Sequence, residues 1–177
     1  MKGFFLILFF TKSIFFFAQS GTKDVLTDWN SIVDSSFSIS YPKTWTLDRS
    51  GENGTSFYLF SPFLSSNDVF QENVNLIIQD VKGYGITLDE YTQFSIDDIG
   101  KSIQNSRILE NIRKNAHGLS YHKMVYTGEI NGFNLTFMQY YWVENEKVYL
   151  LTFTAEPDQF SKYLPVADMI LNSFVMK

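Results

Sequence analysis

The chain has 177 residues, the length of one domain, with 14 Lys and Arg against 19 Asp and Glu and a net charge of −5 at pH 7. That balance lacks the cationic footprint that phosphate neutralisation requires, which argues against nucleic acid or an anionic membrane surface as partner. With no cysteine, the chain holds no disulfide and is not a Cys-anchored lipoprotein.

Met1-Lys2 is a minimal positive start, Phe4–Phe10 and Ile14–Phe17 are apolar, and Ala18, Gln19 and Ser20 are small or polar. This is the pattern of a secretory signal peptide, expected over residues 1–20 with the mature domain at 21–177. Lys12 interrupts the apolar stretch, and a membrane anchor needs about 20 apolar residues, so cleavage rather than retention is expected. Nothing else in the sequence is apolar enough to span a membrane after cleavage. Losing Lys2 and Lys12 leaves 12 basic residues against 19 acidic, a net charge of −7. The expected location is periplasmic or secreted.

Thr22 to Ser36 scatters Val25, Leu26, Trp29, Ile32 and Val33 among polar residues and reads as a short helix or an ordered lead-in. Phe37, Ile39 and Tyr41 alternate with serines, the period of a half-buried strand ended by Pro42. Trp45–Arg49 and Thr55–Ser61 read as two strands around the turn formers 50–54. Residues 62–72 carry no period, and Asn73–Val81 alternates again. Thr87-Leu88-Asp89-Glu90 is a capping box, and the apolar spacing after it predicts a helix over 87–104.

Strand character returns at 106–113. Asn131-Gly132, between Leu119–Ile130 and Phe133–Glu144, is a two-residue hairpin turn. Asn145-Glu146 supplies a second turn into Lys147–Ala155. Two such turns fix the register: Tyr126 faces Phe137, Val125 faces Met138, Trp142 meets Tyr149, Tyr140 meets Leu151 and Met138 meets Phe153. One face then carries Tyr140, Trp142, Leu151 and Phe153, the other Phe137, Tyr141, Val148 and Leu150. Both are apolar, so both are expected to be covered. Pro157 starts a final helix, and Pro165 is expected to split it into a turn at 157–163 and a main helix at 165–173.

Tyr41-Pro42-x-x-Trp45, the segment Leu150–Ala155, Phe160-x-x-Tyr163-Leu164-Pro165 and Asn172-Ser173-Phe174, in this order of elements, resemble the PsbP-like superfamily over about residues 34–177. That group includes photosystem-associated PsbP proteins, bacterial DcrB-like exported proteins and a nuclear Ran-binding protein. The resemblance implies an α+β fold in which helices cover both faces of an antiparallel sheet, an α/β/α sandwich. It also implies accessory or protein-binding roles, and no functional residue set carries over.

The chemistry-bearing residues form no motif. His117 and His122 point to opposite faces of one strand and lack a third ligand at metal spacing, so both read as surface or turn residues. There is no Gly-x-Ser-x-Gly elbow and no phosphate loop. Asp89-Glu90 is explained by capping, and Asp97-Asp98, Glu144 and Glu146 read as solvated charge. No catalytic, cofactor-binding or metal residue is assigned, and no cofactor is expected. Trp142, near a strand end, is the one candidate interface residue. The expected function is a non-enzymatic exported accessory protein that binds a protein of the cell envelope. The alternative is a small-ligand module with its pocket between the sheet and the 87–104 helix, and an enzyme using scattered acids with His122 is a third reading.

Overall fold

The computed structural model describes residues 28–116 and 118–177. The expected signal peptide and His117 lie outside the described residues. The order of elements is β1 (Trp29–Val33), β2 (Phe37–Pro42), β3 (Thr46–Asp48), β4 (Thr55–Phe60), β5 (Asn73–Asp80), α1 (Leu88–Ser102), β6 (Gln104–Ala116), β7 (Leu119–Ile130), β8 (Phe133–Glu144), β9 (Lys147–Ala155), α2 (Pro157–Asn172) and β10 (Val175–Met176). It is an α+β fold with antiparallel sheets and two helices.

The lead-in, expected as a short helix or an ordered segment, is in its described part a strand over Trp29–Val33, paired with β2 from Trp29↔Pro42 to Val33↔Ser38. Its apolar residues have no helical period, so the open hydrogen-bonding edge of β2 decides its conformation. The alternation in β2 holds, with Phe37, Ile39 and Tyr41 buried. β10 pairs with the other edge of β2, and Ser40 N donates to Ser173 Oγ at 2.9 Å. These three strands make a small sheet beside a seven-stranded one of order β3-β4-β5-β9-β8-β7-β6.

Both hairpin turns form as expected. Asn131 and Gly132 have φ of 52° and 82°, Asn145 and Glu146 of 52° and 58°. This is the left-handed pair of a type I′ turn, whose twist matches the strands it joins. All five predicted cross-strand pairs are present. The capping box of α1 is complete: Glu90 N donates to Thr87 Oγ1 at 3.2 Å and Thr87 N to Glu90 Oε2 at 2.9 Å.

The final helix is not split. α2 is continuous through Pro165. The carbonyl that proline leaves without a partner is that of Ser161, and both residues are exposed. Water therefore satisfies it, while Tyr163, Ala167, Ile170 and Leu171 stay clamped on the sheet.

The two faces of the large sheet belong to separate cores. On the first, Met138, Tyr140, Trp142, Leu151 and Phe153 pack with α2 and with Phe37, Ile39 and Tyr41 of β2. The cover there is thus a small sheet together with a helix, where helices alone were expected. On the second, Met124, Tyr126, Phe137, Tyr141 and Leu150 pack with Leu88, Ile99 and the adjoining Ile103. Each fully buried large side chain contributes about 1.5–3 kcal/mol. Gly128 makes the second packing possible: a Cβ there would lie 2.2 Å from Ile103 Cγ2.

Candidate functional site

The seven-stranded sheet ends in two unlike edges. At one end β3 has only three residues, and a short edge offers little template for pairing. At the other, β6 runs for 13 residues and, among the described residues, pairs only with β7. Its first half is irregular, with register shifts at Gln104/Arg107 and Ile108/Glu110 and a positive φ of 53° at Asn105. From Glu110 to Ala116 the ladder is unbroken, which leaves seven residues with one free row of backbone N–H and C=O groups. Leu109 at the bulge is 53% exposed and Ile112 45%.

Charge along this edge is uneven. On the side bearing Ile112, Lys123 Nζ lies 3.0 Å from Glu110 Oε2. On the side facing α1, Arg113 Nη1 donates to Asp89 Oδ1 at 2.7 Å. Lys114 makes no ion pair among the described residues.

A second constellation lies just behind. His122 of β7 is stacked on Tyr141, ring centroids 5.7 Å apart and planes 11° apart. Its Nδ1 stands 3.0 Å from Asn111 Oδ1 and its Nε2 3.7 Å from Asp89 Oδ1. His122 is therefore a buried residue, not the surface or turn residue the sequence suggested. Burial pulls its imidazole below the ordinary pKa, outweighing the opposite pull of Asp89. An acid and a histidine do converge here, but Nδ1 is engaged by Asn111, and Arg113 shares the Asp89 carboxylate. The group ties the first turn of α1 to strands β6 and β7.

The second face also holds a buried polar row. Gln139 Nε2 donates to Tyr126 OH at 3.2 Å and to Thr152 Oγ1 at 3.3 Å. Asn75 stands opposite Thr152, and Asn73 opposite Thr154. Asn75 Nδ2, Asn73 Oδ1 and Thr154 Oγ1 have no hydrogen-bond partner among the described residues. Below the first face, Glu72 is buried and accepts from Ser61 Oγ at 3.3 Å, and burial raises its pKa. An open cavity of about 210 Å³ lies nearby, lined by Leu64, Asp68, Glu156 and Gln159 among others. Asp97 and Glu146 are exposed, as expected of solvated charge, whereas Asp98 and Glu144 are half-buried.

No family model matches the sequence, and no curated protein is detectably similar to it. Solved structures are similar. Cyanobacterial PsbP (CyanoP) from Synechocystis sp. PCC 6803 superposes with a TM-score of 0.62 at 13% identity, over 90% of this chain and 98% of that one. The chain has a PsbP-like fold. PA94, a Pseudomonas aeruginosa protein of unknown function, gives a TM-score of 0.59 at 15% identity over 79% of this chain and 91% of its own. LpqN, involved in cell envelope biogenesis of Mycobacterium tuberculosis, gives 0.59 at 15% over 86% and 92%.

Within this PsbP-like fold, Trp142 lies near the end of β8 but is only 7% exposed, stacked on Tyr121 and packed against Phe174. The exposed apolar residues at the sheet edge are Leu109 and Ile112, which sequence reasoning did not single out. The signal was present, since Ile108–Arg113 alternates, but its position at an edge depends on the strand order of the PsbP-like sheet.

Proposed function

We propose that this protein is a non-enzymatic, exported accessory protein that binds another protein of the cell envelope, and that the outer edge of β6 is where it does so. The observation that carries the reading is the unbroken stretch Glu110–Ala116, whose outer edge is unpaired among the described residues, beside exposed Leu109 and Ile112. An extended partner segment adds to such an edge through main-chain hydrogen bonds. Export is supported by the N-terminal pattern of charge, apolar run and small residues. An envelope setting is supported by the likeness to LpqN. Among the described residues no helix is long and apolar enough to cross a membrane. In this reading residues 21–177 form one mature domain, and Trp142 stiffens it from within.

The test is a photo-crosslinking residue placed at Ile112 and, as control, at the equally exposed Val175, in the intact exported protein in its own cells. The reading expects one envelope protein crosslinked from position 112 and not from 175. Equal capture from both positions, or none from 112, sinks it.

A second reading, a small-ligand module, is favoured by the unpartnered groups of Asn73, Asn75 and Thr154 on the face that α1 covers. Buried polar groups without partners cost about 1–3 kcal/mol each, and a ligand or ordered water would offset that. Native mass spectrometry of the protein purified from its own cells decides: a bound mass lost in Asn75→Leu supports the module, and a bare chain removes it.

A further inference from the structure

A long exposed edge strand invites self-association, and natural sheets blunt such edges with bulges and charges. Here the bulges stop at Glu110, and charge alone guards Glu110–Ala116. That charge is selective. Arg113 is paired with Asp89 and Glu110 with Lys123, which leaves Lys114 as the edge charge without an ion pair among the described residues. The edge is locally cationic on a chain of net charge −5, and at physiological ionic strength only charges within about 8 Å matter to an incoming strand. A basic strand arriving at this edge would meet the ammonium group of Lys114, whereas an acidic strand would be drawn to it. The same side chain thus repels one class of partner and admits another, the usual way an interface obtains specificity.

Resting on the protein-binding reading above, we infer that Glu110–Ala116 accepts an extended, acidic segment of the partner protein as an eighth strand of the sheet. Successive side chains of that segment alternate across the two faces. An apolar side chain opposite Ile112 covers its exposed surface, and a carboxylate opposite Lys114 pairs with the ammonium group that lacks an ion pair among the described residues. Backbone hydrogen bonds hold the segment, and Lys114 selects its charge.

The probe is a short capped peptide of alternating Val and Glu, added to the mature protein while backbone amide shifts are followed by NMR. Three comparisons accompany it: the same peptide with Lys for Glu, the Glu peptide N-methylated on alternate backbone nitrogens, and the Lys114→Glu variant, a change at a half-buried edge position outside both cores. The expected result is shifts confined to β6 and its neighbours with the Glu peptide. Binding should be about fivefold or more weaker with the Lys peptide, a difference of about 1 kcal/mol, and lost with the N-methylated one. Lys114→Glu should reverse the preference between the two charged peptides. Equal binding of both, insensitivity to N-methylation, no binding at all, or a concentration-dependent dimer occupying the edge would each overturn the inference. A partner crosslinked from position 112 without this charge preference leaves the protein-binding reading standing and removes only the acidic strand. Peptide binding with a blank crosslink does the reverse.

Discussion

The two faces of the large sheet are built from the same strands yet differ in kind. The first is filled by hydrocarbon and aromatic rings and closed by β2 and α2 together. The second mixes rings with a row of amides and hydroxyls, a buried imidazole and a glycine gap, under a single helix. A face of pure hydrocarbon tolerates no loss of volume. A mixed face is sensitive instead to shape and protonation. The two faces should therefore answer differently to substitution and to pH.

The sharpest break of that contrast is Phe153→Ala, which empties a fully buried ring from the first face. It should cost about 3–5 kcal/mol, read as a lowered midpoint in urea with an unchanged slope. Gly128→Ala on the second face adds only a methyl group but meets Ile103. The expected cost is about 1–3 kcal/mol, and Ile103→Ala in the same chain, which removes the clashing Cγ2, should make the two changes cost less than their sum.

His122 comes next. Its folded pKa is held below the unfolded value by burial, so the unfolded chain takes up the proton first as pH falls below about 6.5. The stability this group contributes is therefore present above that pH and is lost as pH falls toward and through the folded pKa. His122→Phe should flatten the fall in denaturation midpoint between neutral and mildly acid pH, and an unchanged slope would remove His122 as the sensor.

The smallest effect is expected of Thr154→Val, which removes a hydroxyl with no partner among the described residues. Stability should stay within about 1 kcal/mol or rise. A larger loss in the same urea titration would reveal a bound water or ligand on the second face.

Much of this contrast was legible before the structure. Asn131-Gly132 and Asn145-Glu146 set the register, and register alone sorts Tyr140 and Trp142 from Phe137 and Tyr141. The capping box at Thr87 placed α1. What escaped was decided by contacts remote in sequence. Trp29–Val33 became a strand because β2 offered an open edge, and α2 ran through Pro165 because Ser161 faces water. His122 was buried by Asn111, Tyr141 and the first turn of α1, none of them its neighbour in sequence. Trp142 lay near a strand end, as expected, yet under Phe174, and only the closed fold brings that ring over it. The candidate site was the least legible part. Nothing in Gln104–Ala116 says that it borders solvent, because an edge is a property of strand order, not of any one strand.

The small sheet has a mechanical consequence. β2 takes one neighbour from the hairpin beside it and the other from β10, which holds by only two residue pairs, Val175↔Ser38 and Met176↔Phe37. A pull applied at residues 28 and 177 would therefore load β10 first, and the pairs would peel apart one after another. The Ser173 bond to Ser40 would follow, before the long ladders of β5 to β9 bore any tension. Under load the domain would give way first along one side of β2, while its stiffest part, the large sheet, stayed whole.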